Sequence, residues 1–420
     1  MRKFSPLPAY FAFALLGPAY GPDAGALERV LGMSRDARDV QSWLADEKRG
    51  EGLEAGGILW RPTIPLGLRY DGNVFASNQR DQDDGVFSFS PSVLGEADLG
   101  AHEISFYGYS RSDAYFDQGR QSNVEYGAGA RGTFAIFQWL DATAAYRYDR
   151  LTEDWSSPDI PLEAVEAPEL EQVSSRFGLH PRFGRFSSDL EFMYSDVTYD
   201  DLEVIGGGEI SQANRNRDTV DIFVTLAYEF SEDFRPYVQL QWDDHAFDDW
   251  AVDRDGAGKN AFVGMQFETG TLRGDVYAGY VFQNLSDDDA RLEEQEGFGF
   301  GVELDWELSD ATRIRLDALR DIEEATTGLE SGRMATTMLL RGAHRLSDRY
   351  TVEGRLGYEH DDYGGSPREE DSFSVQLGVT GEFAQNLYSQ LSYRFTTRDS
   401  NVAGRSYDGS EVLWSVGWRR

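Results

Sequence analysis

The sequence predicts an all-β chain: a transmembrane, antiparallel up-and-down β-barrel of about eighteen strands, behind an N-terminal signal peptide and a short periplasmic leader. Three observations lead there. Apolar and polar residues alternate strictly over runs of roughly ten to thirteen residues, the length a tilted strand needs to cross a bilayer. Connections alternate between tight turns and long polar loops. The composition is acidic and rich in glycine and aromatics, with a formal net charge of −35, 44 Gly, 21 Tyr, 26 Phe and no Cys over 420 residues. That charge disfavours nucleic acid as a partner, because phosphate would be repelled. The missing cysteine excludes disulfides, thiol catalysis and cysteine-ligated zinc.

The elements follow in chain order. Met1-Arg2-Lys3 precedes an apolar run from Leu7 to Leu16, and Ala24-Gly25-Ala26 offers a small-residue cleavage site. This is the pattern of a secretory signal over residues 1–26; Pro6, Pro8 and Pro18 argue against a buried helix. Residues 27–55 carry Leu27, Val30, Leu31, Val40, Trp43 and Leu44 at helix-like spacing among charges and read as a periplasmic leader, equally as one or two short amphipathic helices or as a solvated segment, with no chemistry assigned. The barrel is expected over 56–420. No stretch reaches the roughly 18 consecutive apolar residues of a membrane-spanning helix, so strands must do the crossing.

Within the barrel, Val220, Ile222, Val224, Leu226, Tyr228 and Phe230 alternate with Asp221, Thr225, Ala227 and Glu229 among the intervening positions. Phe298 to Leu308 and Phe373 to Phe383 repeat the pattern, and Val412, Trp414, Val416 and Trp418 close the chain. Such alternation sends one set to each face of a strand. Sandwich strands are usually about five or six residues, too short for these runs. Tight turns fall at 99–101, 231–233, 309–311, 347–349 and 384–386. Long loops fall at 71–85, 152–171, 200–217, 246–258, 285–296, 323–332, 362–371 and 399–407. Short turns on one side and long loops on the other is the asymmetry of an outer-membrane barrel, with turns periplasmic. Strands are expected to start at 56, 86, 103, 123, 139, 172, 186, 218, 234, 259, 272, 297, 312, 333, 350, 371, 387 and 407.

Charges opposite the apolar set must face a wet interior, since an Arg at the bilayer midplane costs about 2–4 kcal/mol. The expected lumen-lining residues are Arg147, Glu191, Glu229, Asp243, Glu303, Asp305, Glu307, Arg313, Arg315, Asp317, Glu353, Arg355, Glu382 and Arg394, together with Asp141, Asp149, Asp221 and Glu359. Either they pair and solvate the wall, or they line a conducting pore and set its ion preference. Because acids outnumber bases, an open pore is expected to prefer cations. Around the Ser309–Ala311 turn, positions summing to 620 should pair: Glu307 with Arg313, Asp305 with Arg315, Trp306 with Ile314, Leu304 with Leu316. On another strand, Val238, Leu240 and Trp242 should face lipid while Gln239, Gln241 and Asp243 face the lumen.

Other chemistry is weakly signalled. His102, His180, His245, His344 and His360 show no serine partner at any recognisable spacing, so no catalytic site is expected. Asp81, Asp83, Asp84 and Gly85 resemble the start of a calcium loop, but its twelfth position is Ser92 rather than Glu. The acids there, and Asp287 to Asp289, read as solvated loop tips, with weak cation bridging to lipopolysaccharide phosphates as the minor alternative. Gly206-Gly207-Gly208 lacks the Lys-Ser/Thr of a phosphate loop. No cofactor is expected.

The stretch Gly67-Leu68-Arg69-Tyr70-Asp71-Gly72-Asn73-Val74-Phe75 resembles the Tyr-Asp-Asp-Asn-Val-Phe signature of an outer-membrane β-barrel porin family (type 2) often encoded with exopolysaccharide clusters. Ser90-Pro91-Ser92-Val93, Arg215-Asn216-Arg217-Asp218, Tyr393-Arg394-Phe395 and Arg398-Asp399-Ser400-Asn401 extend the resemblance over the barrel. Gly72 stands where the family commonly has a second Asp, and the chain ends Arg419-Arg420 instead of on an aromatic residue. The resemblance implies a passive outer-membrane channel and no catalytic residues. The expected function is diffusion of small hydrophilic solutes or passage of a secreted polysaccharide. The alternative is a non-conducting structural or assembly barrel of a polysaccharide or surface machine. Expected partners are outer-membrane lipid, lipopolysaccharide and polysaccharide export machinery.

Overall fold

The computed structural model describes residues 51–248, 254–285, 292–324 and 330–420. The expected signal peptide, most of the leader and the Asp287–Asp289 run lie outside them. Eighteen strands form one sheet closed on itself. They are β1 (Ile58–Asp71), β2 (Asp84–Phe89 and Ser92–Asp98), β3 (His102–Tyr115), β4 (Asn123–Phe137), β5 (Leu140–Thr152) and β6 (Glu169–Phe183). Next come β7 (Phe186–Tyr199), β8 (Arg217–Tyr228), β9 (Phe234–Phe247), β10 (Gly256–Thr269), β11 (Leu272–Leu285) and β12 (Gln295–Ser309). The last six are β13 (Thr312–Glu323), β14 (Arg333–Arg345), β15 (Tyr350–Tyr363), β16 (Glu369–Ala384), β17 (Leu387–Ser400) and β18 (Tyr407–Arg419). Every start falls within three residues of its expected position. Unbroken strands run from 12 to 16 residues, longer than a bilayer crossing needs, so they project beyond it.

Each strand pairs antiparallel with its sequence neighbour, and β1 closes the ring on β18 with Leu66 opposite Val416. Strand β2 breaks at Ser90-Pro91, where proline cannot donate to a ladder, yet both halves pair with β1 and β3. Leu53–Ala55, expected in the leader, instead folds back on β1 with Leu53 opposite Trp60. Gly56 and Gly57 make that turn with φ of 65° and 77°, a backbone region that side chains disfavour.

The outer wall is apolar. Leu66, Leu68, Phe177, Leu226, Leu240, Val263, Leu377 and Trp414 all point outward, exposed in the isolated chain. At the short-turn end Phe137, Trp139 and Phe183 stack at centroid distances of 5.6 and 5.1 Å. At the long-loop end outward tyrosines reach carboxylates beside them: Tyr70 donates to Asp83 at 2.9 Å and Tyr358 to Asp371 at 2.8 Å. Rings below and hydrated hydroxyls above suit the two membrane interfaces.

The expected register around Ser309–Ala311 is present: Glu307 faces Arg313, Asp305 faces Arg315, Trp306 faces Ile314, and Leu304 faces Leu316.

Candidate pore lining and extracellular mouth

The lining is a mesh of ion pairs that run along the wall. Arg313 is buried and pairs with Asp305, one step diagonal from the Glu307 it faces in the ladder. Glu307 is instead held by Arg273 on β11 at 3.0 Å. Arg315 sits 2.9 Å from Asp317 and 3.6 Å from Glu303, and Arg341 on β14 adds a 3.2 Å contact to Asp317. Long guanidinium side chains reach the diagonal neighbour on a twisted sheet, so ladder opposition and ion pairing differ by one step. Arg147 pairs with Asp149, Arg176 with Glu191 and Arg419 with Glu382. Arg394 reaches Glu411 at 3.5 Å. Asp243 meets His245 at 2.8 Å, and Glu353 accepts from Thr380 Oγ1 at 3.4 Å. Arg355 lies opposite Arg341 on one side and Gln376 on the other. Glu229 departs from expectation: β8 ends at Tyr228, and Glu229 stands exposed in the turn that follows.

Inward tyrosines also lie against the wall. Tyr109 on β3 faces Gly127 on β4 and donates to Asp149 on β5 at 2.7 Å. Tyr237 on β9 faces Gly264 on β10 and donates to Asp275 on β11 at 2.6 Å. Both rings cross the middle strand where a side chain at the glycine would collide with them. Tyr107 over Gly129, Tyr277 over Gly301 and Tyr388 over Gly417 repeat the device. Periodicity shows only that these residues share a face; the glycine opposite each tyrosine was the signal that could have revealed their lean.

His180 hydrogen-bonds Thr143 through Nε2 at 3.1 Å and Asp189 through Nδ1 at 2.9 Å. The order hydroxyl, imidazole, carboxylate is that of a hydrolase triad. Thr143 sits in ladders with both β4 and β6, and the trio spans β5, β6 and β7. The trio therefore ties three strands together.

At the long-loop end, loops from different parts of the ring meet. The β5–β6 loop, residues 153–168, turns inward, with Ser156, Ile160 and Ala164 buried. Ile160, Ala164 and Leu202 form a small apolar core with Trp155 and Ile210. On its near side, Ala164 bridges Val204 of the β7–β8 loop, and Arg215 binds Glu153 at 2.8 Å. Arg80 of the β1–β2 loop donates to Ala164 O at 2.5 Å and lies over both Phe75 and Trp155. Phe75, at the end of the resemblance stretch, also packs edge-on against Trp155 at 5.1 Å. Within it, Gly72 donates to Ser410 O at 2.8 Å, and a Cβ there would meet the same oxygen at 2.9 Å, so the Asp common in the family is disfavoured.

On the far side, Arg368 and Arg405 both donate to Pro158 O, at 3.1 and 2.5 Å. Arg368 also pairs with Glu330 at 3.2 Å and Glu370 at 2.9 Å. Burial, then the neighbouring Arg368, lowers the Arg405 pKa from its ordinary value. Burial raises the Glu330 carboxyl, against the pull of Arg368. Asp84, expected to be a solvated loop acid, is buried and accepts the backbone N–H groups of Asp117 and Gln118 at 3.1 and 2.7 Å. Among the described residues no group of three or more acids and histidines could hold a metal.

A family model described as "Putative beta-barrel porin 2" matches residues 49–420. No curated protein matches. Among solved structures the chain is similar to the outer membrane protein opdK from Pseudomonas aeruginosa, with a TM-score of 0.43, 13% identity, and coverage of 86% of this chain and 99% of that one. It is similar to OccAB3 from Acinetobacter baumannii (TM-score 0.45, 10% identity, coverage 87% and 100%). It is also similar to the siderophore receptor PirA from Pseudomonas aeruginosa (TM-score 0.45, 7% identity, coverage 86% and 80%). With a family match over the entire barrel and a lipid-facing belt between two aromatic rings, the chain belongs to the beta-barrel porin 2 family and is an integral barrel of the bacterial outer membrane.

Proposed function

We propose that the barrel is a passive diffusion channel for small hydrophilic solutes, with a preference for cations. One observation carries this reading: the closed wall is ionised and hydrogen-bonded on its inward face along its length, while its outward face is apolar. Charges held flat against a low-dielectric wall leave a wet centre and impose their field on it. The inward positions of the strands carry more carboxylates than guanidinium groups, which favours cations. Transport needs no covalent step, and we assign the barrel none. Passage of a secreted polysaccharide is the larger-cargo form of the same proposal. The inward β5–β6 loop favours the rival reading, a non-conducting structural barrel. Purified protein in a planar bilayer decides between them: a current with cation-positive selectivity supports the channel, and a sealed barrel under all conditions supports the scaffold.

A further inference from the structure

Two outward cations at the long-loop end stand just above the tyrosine belt. On β13, Arg320 shares the outward face with Leu316 and Ala318 and lies opposite Phe300 on β12 and Thr336 on β14. Its row is the next outward one above Ala318, Met338 and Tyr358, and Tyr358 marks the interface through its bond to Asp371. On β10, Lys259 is the next outward position above Ala261, which faces the exposed Tyr280. Arg150 also points outward at this end, but Glu169 at 2.7 Å, Glu171 at 3.2 Å and Asp200 hold it. Arg320 and Lys259 have no such partners. Among the described residues Arg320 makes one side-chain hydrogen bond, to Thr336 Oγ1 at 2.5 Å, and neither cation has an ion pair. The outward acids of this sector, Glu296 on β12 and Asp362 on β15, lie further toward the loops. His360, opposite Thr336 on β15, meets Asp371 through Nδ1 at 3.1 Å, and its other ring nitrogen has no partner among the described residues.

Acids outnumber basic residues 74 to 39 in this chain, yet none is placed against Arg320. A guanidinium set among Phe300, Ala318 and a hydroxyl therefore finds its counter-ion outside the protein. At that level water gives way to lipid headgroups, where a phosphate offers the paired oxygens that the guanidinium fork fits. We propose that Arg320, flanked by Thr336 and His360, and Lys259 three strands away bind the phosphate groups of an outer-leaflet glycolipid, the lipid A part of lipopolysaccharide. Arg320 takes one phosphate; Lys259, roughly 14 Å away across the sheet, takes a second. The acyl chains of the same lipid cover Val263 and Met338, which are exposed on the outward face beneath. Carboxylates would need a bridging metal ion to hold such a phosphate, and these two cations need none. The site lies on the outer wall and is independent of whether the lumen conducts.

The experiment titrates the full chain in detergent micelles with lipid A and reads bound lipid per barrel by native mass spectrometry. Wild type should bind diphosphorylated lipid A at least ten-fold more tightly than lipid A stripped of its phosphates. Arg320→Gln with Lys259→Gln should weaken binding of the diphosphorylated form at least ten-fold and leave the stripped form unchanged. Arg349→Gln, which removes a positive charge from a short turn at the opposite end, should change neither. Should the double variant fold poorly, as judged by heat-modifiable gel mobility, a second measurement uses the wild type. An arginine-directed dicarbonyl reagent, mapped by peptide mass spectrometry, should modify Arg320 at least five-fold more slowly in the presence of diphosphorylated lipid A, and at an unchanged rate with the stripped form. Equal affinity of wild type for the two lipids, an equal loss from Arg349→Gln, or no protection of Arg320 overturns the proposal. Displacement of lipid A by millimolar inorganic phosphate overturns the lipid as the source of the phosphate.

Discussion

At the scale of single residues, the inner wall depends on pairs whose partners sit on other strands. Arg313 is 2% exposed and held by Asp305. Arg313→Leu should cost about 3 kcal/mol, since removing one member of a buried pair leaves the other uncompensated. Adding Asp305→Leu should recover much of that loss, and urea unfolding in detergent micelles would measure both. The tyrosine–glycine pairs make a different demand. Gly264→Val has no room beneath the Tyr237 ring, so the ring must leave Asp275 and turn toward the lumen. The expected result is lower conductance with strand content retained by circular dichroism. A Tyr237→Phe change, which loses only the hydroxyl, should leave conductance near wild type.

At the scale of elements, lipid sets each strand's register. On β9, Val238 and Leu240 are exposed outward, while Tyr237 and Asp243 are buried inward and Gln239 and Gln241 bond to neighbours on β8 and β10. Leu240→Cys should therefore resist a water-soluble maleimide in intact outer membranes, and Gln241→Cys should react at least several-fold faster. The same logic explains why the turn at Ser309–Ala311 was legible. Sliding one residue would place Arg313 and Arg315 against lipid, at about 2–4 kcal/mol each near the midplane. An aligned ion pair contributes only about 0.2–1 kcal/mol, so it could not have chosen the register, and it did not choose the partner either. Arg313 went one step diagonal to Asp305, while Arg315 took Asp317 on its own strand ahead of the diagonal Glu303. Strand ends were less legible: Glu229 continues the alternation beyond Tyr228, yet the chain has already entered the turn.

For the molecule as a whole, the surplus of carboxylates on the wall predicts that current reverses on the cation side under a salt gradient. The preference should weaken as salt rises, because the Debye length shrinks from about 10 Å at 0.1 M to about 3 Å at 1 M. Lysine occupies only positions 3, 48 and 259, and Lys259 shares the outward face of β10 with Val263, so the permanent cations on the described inner wall are arginines. Arginine stays charged at every accessible pH and can serve several carboxylates at once, as Arg69 does for Asp71, Asp113 and Glu411 at 3.0, 3.4 and 3.3 Å. Selectivity should accordingly change little when alkaline pH would have titrated lysines, a comparison that reversal potentials at pH 7 and pH 10 can make.

The sequence by itself determined the class of fold, the number and starts of the strands, which face of each meets lipid, and which end carries the long loops. These follow from a solvent boundary that imposes a period of two along every strand. Only the tertiary structure decided what the polar residues do with one another. Tyr109 finds Asp149 across an intervening strand, and Thr143, His180 and Asp189 meet from three strands. The β5–β6 loop crosses the mouth to Arg368, 210 positions away. Loops and inward side chains lie in water, where no period constrains them; their partners are chosen by closure of the ring, which brings distant parts of the chain to the same rim.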